Sequence, residues 1–275
     1  MKTTHGKWLA VTAGVGSPDF EEAAFRVRDS LARSGVVDKV VAVTTKDLST
    51  VCPRTSALYR DLMNTDTRGY GYMCWKAEIV NAAMEGLWGD FEGVIWVDAG
   101  CEISVNPMSR IRFNKFKTFA RKHGVSCFAL DTLEIEYSKR DIFEHFPEID
   151  PFNAGRQIQT TWFFLYGEKG KEISREWLST VLVGTHMLTL EPSNLPEYQE
   201  FVENRYDQST FSLVCKKNRI PTMSYVPTSG DRTLLSKLNG LFHPIWTSRN
   251  RGGTSVKMKF HEMLELPVRI KKLSR

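Results

Sequence analysis

The residues best suited to do chemistry follow an apolar stretch in the middle of the chain. Gly93 to Val97 are apolar, and the acid that follows them, Asp98, precedes the small residues Ala99 and Gly100. The apolar run predicts a buried strand. A carboxylate at the carboxyl end of such a strand lies where open α/β sheets bind ligands. The small residues let the backbone approach a large polar ligand closely, and Gly100 can adopt a positive φ. The alternative is a plain turn in which Asp98 bonds its own backbone.

A second polar segment precedes this strand. The residues RGYGYMCWK, from Arg68 to Lys76, combine glycines and aromatics and lead into an apolar-periodic helix. Arg68, Tyr72, Trp75 and Lys76 at a helix amino terminus suit a nucleotide base, a sugar face or a phosphate. The alternative for the tyrosines is packing over the sheet. The charge of Lys76, in contrast, must reach water or an anion.

Two further candidates lie late in the chain. The pair Asp207-Gln208 begins a segment that continues into an apolar helix, where the alternative role is helix capping. His243 precedes a loop that contains Arg249 and Arg251. A neutral imidazole ahead of an arginine and glycine loop suits a metal and diphosphate site, although a lone histidine is more often structural.

The first strands and helix predicted in the chain form the framework that must position these residues. Lys7 to Gly14 predicts a strand, and Ser17 followed by proline predicts the start of a helix that ends near Gly35. Val37 to Thr45 predicts the next strand. This β-α-β unit predicts a parallel sheet with a right-handed crossover. Ala13 and Gly14, at the end of the first strand, are therefore candidate contacts for a nucleotide.

The remaining pattern continues to alternate strands and helices. Polar Gln157, Gln159 and Thr161 alternate with apolar residues at the start of a strand predicted for Gln157 to Tyr166. We assign these three side chains, with Trp246, to an acceptor site. Met108 to Lys122 is predicted as a helix that directs Ile111, Phe113, Phe116 and Phe119 toward the core. Val125 to Leu130 is predicted as a strand. Two further helices are predicted over Lys139 to Phe146 and Glu172 to Val183.

Composition excludes several classes of protein. The 275 residues are 41% hydrophobic and 25% charged, which is enough to bury a core. No apolar stretch approaches the roughly 20 residues that cross a bilayer. The five cysteines are an odd number and form no CxxC pair, which argues against a disulfide framework and a zinc knuckle. A reducing cytoplasm is the expected location.

The net charge of +5 is local to the carboxyl-terminal end, because residues 246–275 contain eight Lys and Arg against two Glu. Such a segment suits donor phosphates, an anionic membrane surface or a nucleic acid, and its simplest role is a solvated tail. We expect a cytoplasmic protein that can lie peripheral to the inner membrane, with nucleic acid the less favoured partner.

In this order of segments the chain resembles the GT-A glycosyltransferases. The matching segments are the first strand and its loop, RGYGYMCWK, VDAG, QIQTTWFF, ENRYDQST and HPIW. It looks most similar to a bacterial or viral group in which DAG stands where most of the fold has Asp-x-Asp. The resemblance implies an α/β fold: one Rossmann-like domain over residues 1–253 with a mostly parallel central sheet flanked by helices. The nucleotide part would span about 1–106, the acceptor part 107–253, and a basic segment 254–275.

The resemblance also implies roles for single residues. Asp98 matches the first acid of Asp-x-Asp, whereas Gly100 replaces the second. His243 is similar to the late metal-binding histidine of family 8 retaining transferases. Asp207 and Gln208 are similar to the Asp-Gln of that family, in which the Gln lies beneath the donor sugar. A Mn²⁺ or Mg²⁺ ion on Asp98 and His243 is thereby implied.

The expected activity is transfer of a hexose from a nucleotide-diphosphate sugar, with UDP favoured, to a saccharide or lipid-linked saccharide in surface polysaccharide synthesis. Breaking the anomeric bond gives a departing diphosphate and an oxocarbenium-like sugar. Asp98 with a metal, assisted by Lys76, Arg249 and Arg251, would balance the first charge, and Asp207 the second. If the product is inverted, Asp207 is the candidate general base. Two alternatives are sugar transfer to modified nucleic acid and a non-catalytic nucleotide-sugar-binding module.

Overall fold

The computed structural model describes residues 6–104, 106–224 and 244–247. Its strands, in chain order, are β1 (Trp8–Gly14), β2 (Lys39–Thr44), β3 (Gly93–Val97), β4 (Cys101–Ile103), β5 (Val125–Ser126), β6 (Phe128–Leu133), β7 (Arg156–Ile158), β8 (Trp162–Tyr166), β9 (Met223–Ser224) and β10 (Ile245–Thr247). Its helices are α1 (Pro18–Ser34), α2 (Leu48–Val51), α3 (Pro53–Leu58), α4 (Gly69–Tyr72), α5 (Trp75–Met84), α6 (Pro107–His123), α7 (Glu134–Tyr137), α8 (Arg140–His145), α9 (Gly167–Val181) and α10 (Asp207–Lys217).

Five strands form a mixed central sheet in the order β2-β1-β3-β8-β5. β1 pairs in parallel with β2 and β3, and β8 pairs antiparallel with β3 and β5. Four of the five strands therefore run in one direction, which confirms the predicted α/β fold with a mostly parallel sheet. Because β8 is reversed, its amino-terminal end lies beside the carboxyl end of β3, where Val97 pairs with Trp162.

Helices cover both faces of the sheet. Residues of β1 alternate between two apolar clusters, as side chains of a strand buried on both sides must. Trp8 and Ala10 pack with residues of α1 and α6. Leu9, Val11 and Ala13 pack on the other face with residues of α5, α9 and α10. The helices that carry Lys76 and Asp207 therefore lie on the same face of the sheet.

The first β-α-β unit folds as its local sequence predicts. Ser17 caps α1 by accepting a hydrogen bond from the Phe20 amide at 3.4 Å, and Pro18 is the first helical residue. Gly35 ends the helix with φ of 63°, which a residue without a side chain adopts at little cost.

Two predicted strands are each divided in the structure. Gln157 to Tyr166 forms β7 and β8, which belong to different sheets, and Val125 to Leu130 contributes to β5 and β6, which also separate. The first break falls at the polar residues Gln159, Thr160 and Thr161, and the second at Cys127, which lies between Ser126 and Phe128. The two breaks share no residue pattern that would reveal where the chain changes sheets. Ile111, predicted to face the core, is 57% exposed.

Two small sheets flank the central one. β6 pairs with β7 and β9, and β4 pairs antiparallel with β10. The second pairing places Thr247 opposite Cys101, three residues after Asp98. The last described residues therefore lie beside the turn that contains the candidate acid.

The five cysteines are buried and free. Among the described residues, no helix combines the length and apolarity needed to cross a bilayer.

Gly14 shows why the end of β1 needs a glycine. A Cβ at this position would lie 2.0 Å from the Phe20 carbonyl oxygen on α1. We therefore expect Gly14→Ala to lower the free energy of unfolding by about 1–3 kcal/mol, the typical effect of overpacking, measured by urea denaturation. Gly35→Ala is the control, because a Cβ there meets no atom within 4 Å and only the backbone is strained. A smaller effect at Gly14 than at Gly35 would contradict this role.

Candidate functional site

A buried lysine joins the three charged candidates at the edge of the sheet. The Lys76 ammonium, in the first turn of α5, lies 2.9 Å from Asp98 Oδ1 and 2.7 Å from Asp207 Oδ2. Asp98 follows β3 and Asp207 is the first residue of α10. The Lys76 and Asp207 side chains are 2% and 4% exposed, whereas Asp98 keeps 32% of its side-chain surface. The structure thus brings these residues together, with Asp98 the most accessible to a ligand.

Neighbouring donors fix both carboxylates. The indole Nε1 of Trp96 donates to Asp98 Oδ1 at 2.8 Å, and the Thr160 hydroxyl donates to Asp207 Oδ2 at 2.9 Å. The Asp98 amide donates to the Thr161 carbonyl at 2.8 Å. Thr160 and Thr161 reach this position because β8 runs antiparallel to β3. No motif in the sequence singled out Trp96 or Thr160.

The site carries one excess negative charge, from one ammonium and two carboxylates. Burial lowers the pKa of Lys76, but Asp207 and Asp98 outweigh it and the pKa lies above its ordinary value. Removal from water raises the pKa of Asp98 more than the Lys76 ammonium lowers it, and Asp207 adds to the rise. The lysine therefore remains a cation, and its charge is paired with the two carboxylates of the site.

Arg26 holds the turn that follows Asp98, a role that the sequence did not reveal. Its guanidinium donates to the Cys101 carbonyl at 2.9 Å and the Ala99 carbonyl at 3.0 Å. It also lies 2.8 Å from Glu102, and its side chain is 4% exposed. Glu102, the acid two residues after Gly100, thus faces α1. The available signal was the position of Arg26 three residues after Ala23, on the helix face that also carries Ser30.

The segment before α5 has an unusual backbone. Gly69, Tyr70, Gly71, Tyr72 and Met73 all have positive φ values, between 53° and 89°. Such a conformation costs about 1–2 kcal/mol for each residue that carries a Cβ. The predicted helical segment therefore begins with a left-handed turn, closed where the Tyr72 amide donates to the Arg68 carbonyl at 2.8 Å.

Tyr206 meets this turn from the opposite side. Its φ is also positive, at 53°, immediately before Asp207. The rings of Tyr72 and Tyr206 lie 5.1 Å apart, and the Arg68 guanidinium is 5.2 Å from the Tyr206 ring. Strained backbone in both segments therefore flanks the ion pairs, as is common at functional sites.

The other predicted donor contacts lie around the end of β1. Ala13 and Gly14 are buried, and the ring of Tyr70 covers Gly16 in the following loop. Trp75 is 6% exposed and packs 6.3 Å from the Trp96 ring. Ala13, Gly14 and Trp75 thus support the site from the core rather than present side chains to a ligand.

The predicted acceptor residues divide into two groups. Gln157 and Gln159 are 0% and 2% exposed, so their side chains present almost no surface to an acceptor in this structure. Gln157 instead bonds Gln208, whose Nε2 lies 2.6 Å from Gln157 Oε1. Alternation along the strand did not show this, because both of its faces are covered. Thr161 and Trp246 are half-buried at the site edge.

His243, Arg249 and Arg251 lie outside the described residues. Within the part of the chain that the structure describes, no group of three or more His, Cys, Asp or Glu residues could hold a metal ion. Asp98 Oδ1 accepts from Lys76 and Trp96, while no described residue bonds its Oδ2. The described residues therefore offer a metal ion one carboxylate oxygen, Asp98 Oδ2. A cation could bind there only if a bound ligand supplied most of its coordinating oxygens.

No protein-family model matches the chain, and no curated protein matches it. The solved structures that resemble it weakly include two glycosyltransferases. A glycosyltransferase involved in the glycosylation of the major capsid of PBCV-1 is 12% identical, with a TM-score of 0.45 over 87% of this chain and 92% of that chain. Mouse xyloside xylosyltransferase 1, in its apo form, is 12% identical, with a TM-score of 0.43 over 88% of this chain and 97% of that chain. At these scores the likeness carries no argument about activity.

Lys76→Met would leave two adjacent carboxylates without their cation. We expect the free energy of unfolding to fall by about 3–5 kcal/mol, as when one partner of a buried ion pair is removed. The pKa of Asp98 would rise further, so the folded variant would bind a proton more tightly than the unfolded chain. Stability then falls as pH rises through the folded pKa. The loss should be larger at pH 8 than at pH 5 in denaturant titrations. Lys46→Met, at an exposed lysine, should change little, and equal losses for both variants would contradict the assignment.

Arg26→Met would release the turn from Ala99 to Glu102. We expect a loss of about 2–4 kcal/mol in unfolding free energy, since charged hydrogen bonds and a buried pair are removed together. Amide hydrogen exchange at Ala99 and Cys101 should accelerate more than exchange in α9. Arg28→Met, on the exposed side of the same helix, is the matched control. Unchanged exchange in the turn would show that Arg26 does not hold it.

Proposed function

We propose that this chain is a glycosyltransferase that moves a hexose from a nucleotide-diphosphate sugar, with UDP favoured, to a saccharide or lipid-linked saccharide acceptor in surface polysaccharide synthesis. The single observation that carries the proposal is the buried Lys76 ammonium between Asp98 and Asp207. It lies at the carboxyl end of β3, where α/β sheets bind nucleotides. The motif resemblance adds the class of reaction.

The charge of the site suits a sugar that becomes positive. When the bond between the anomeric carbon and the diphosphate breaks, the sugar ring acquires oxocarbenium character. One excess negative charge held by fixed donors stabilises that cation without reorganisation. Asp98, with 32% of its side-chain surface exposed, can also accept a hydrogen bond from a donor hydroxyl.

Burial favours an orienting role for Asp207. Its side chain is 4% exposed and bonded to Lys76 and Thr160. A base that removes a proton from an acceptor must reach that hydroxyl. The geometry therefore supports charge stabilisation beneath the donor and hence a retaining outcome, with Gln208 adjacent. In the inverting alternative, Asp207 would turn toward the acceptor.

The diphosphate needs a cation of its own, because Lys76 is 2% exposed and already bonded to two carboxylates. In the proposal, Asp98 and His243 would hold a Mn²⁺ or Mg²⁺ ion, and Arg249 and Arg251 would assist in binding the diphosphate. When bound, the ion would neutralise the leaving group. Thr247, the last described residue, pairs with Cys101, three residues after Asp98.

A non-catalytic nucleotide-sugar-binding module is the second candidate. Gly100 in place of a second acid, and the engagement of Asp98 Oδ1 by Lys76 and Trp96, favour it. Acceptor-independent hydrolysis of a nucleotide sugar separates the two, because only an enzyme releases the sugar. Transfer to nucleic acid would instead show a steep loss of acceptor affinity with salt.

A thermal-shift screen tests the donor class. UDP-, GDP-, CMP- and dTDP-sugars are each added with Mn²⁺ and with EDTA. At about 100 times Kd, a specific ligand stabilises the fold by about 2.7 kcal/mol, which corresponds to a Tm rise of about 5 °C or more. We expect the sugars of one nucleotide to raise the Tm, and to do so with Mn²⁺ but not with EDTA.

Asp98→Asn should abolish that rise, while Asp90→Asn, at an exposed acid before the opposite end of β3, should retain it. Stabilisation that is independent of the metal would overturn the cation assignment. Absence of any shift with every nucleotide would overturn the donor class and with it the transferase proposal.

A further inference from the structure

Gln208, the residue after Asp207, belongs to a hydrogen-bond relay that joins α10 to β7. Its Nε2 donates to Gln157 Oε1 at 2.6 Å. Gln157 is fully buried, and its own Nε2 lies 3.2 Å from the Tyr137 carbonyl and 3.4 Å from Glu134 Oε1. Three side chains on different elements are thereby linked, from α7 through β7 to α10.

The chemistry of the groups fixes the orientation of both amides. A backbone carbonyl can only accept, so the Gln157 amide nitrogen must face Tyr137. Arg205 can only donate, and its Nη1 lies 3.5 Å from Gln157 Oε1. The oxygen of Gln157 therefore faces Gln208, and Gln208 must present its nitrogen to it. No described residue bonds Gln208 Oε1.

Glu134 anchors the other end of the relay. It is fully buried and accepts hydrogen bonds from Ser138, at 2.6 Å, and Ser212. The Lys216 ammonium lies 3.5 Å from it. Burial raises the pKa of Glu134 despite Lys216 and the three neutral donors around it. In either protonation state the carboxyl keeps an oxygen that accepts from Gln157, so the relay does not depend on its charge.

We propose that Gln157 and Glu134 are positioning residues that hold Gln208 with its carbonyl oxygen directed to the donor sugar. The proposal rests on the proposed glycosyltransferase function for its ligand. An amide oxygen is the negative end of the group's dipole, and so it stabilises positive charge at an adjacent anomeric carbon. The reversed amide would place a nitrogen there and oppose the same charge. The hydrogen bonds of the relay thus determine which end of the Gln208 amide dipole faces the anomeric carbon.

Gln208→Glu tests the orientation directly. The new carboxylate would face Gln157 Oε1, an acceptor, so its charged form is disfavoured and its pKa is raised. When protonated, the carboxyl restores the hydrogen bond to Gln157 and keeps a carbonyl oxygen toward the sugar. We expect transfer to be at least about tenfold below wild type at pH 8 and to recover toward wild type at pH 5.5. A pH profile parallel to that of the wild type would overturn the relay.

Stability gives a second readout that needs no activity. Because the folded pKa of the new carboxyl lies above its unfolded value, the folded variant gains stability as pH falls and loses it as pH rises. The difference in unfolding free energy between Gln208→Glu and wild type should therefore grow from pH 5 to pH 8. A constant difference would contradict the orientation even in a protein that transfers no sugar. A wild type without transfer activity, in contrast, overturns the proposed function alone.

Gln157→Met separates positioning from binding. Methionine is similar in size to glutamine but cannot bond the Gln208 amide. We expect kcat to fall about tenfold while the donor Kd, from calorimetric titration, stays within about twofold. Asn81→Ala is the control, since this buried amide bonds Ser174 at 3.2 Å on the α9 side and should lower stability without changing kcat. An unchanged kcat in a folded Gln157→Met variant would remove Gln157 from the mechanism.

Discussion

A lysine ammonium removed from water is stable only where anions surround it, and the rest of this structure satisfies that demand. Lys76 is fully buried against Asp98 and Asp207. Breaking such a pair costs more than its formation gains, because the remaining charge is buried without a partner. The beginning of α5, the end of β3 and the beginning of α10 must consequently meet at one point. The positive amino-terminal end of α10 also favours the acid at its first residue.

The support behind this contact combines apolar packing with strained backbone and buried polar groups. Arg26 fixes the turn after Asp98 through two backbone carbonyls and Glu102. On the opposite side, the left-handed turn from Gly69 to Met73 and the positive φ of Tyr206 hold the two tyrosine rings together. Backbone strain of this kind persists only where the surroundings over-determine it. The elements that present the charges of the site are therefore each held by contacts of their neighbours.

Consecutive residues of α10 serve different neighbours. Because successive helical residues point about 100° apart, Asp207 faces α5 while Gln208 faces β7. The first contact is ionic and the second is an amide relay that ends on a buried acid. The two networks share the backbone of α10 and the segment from Gln157, which bonds Gln208, to Thr160, which bonds Asp207. A substitution in either one can thus change the orientation of one side chain and leave the other in place.

The sequence by itself determined the local elements and the residues around which the site forms. The Ser17 cap, the apolar run before Asp98 and the helix that starts at Asp207 depend on neighbours within about one helical turn or one strand, and such interactions are encoded in adjacent residues. Tertiary structure alone decided that Gln157 is buried, that Arg26 holds the turn, that one predicted strand divides into β7 and β8, and that β8 runs antiparallel to β3. These features depend on contacts between residues far apart in the chain. The packing of the helices against the sheet determines which partner a strand or a buried polar group has. A pattern of residue types along the chain does not specify that partner.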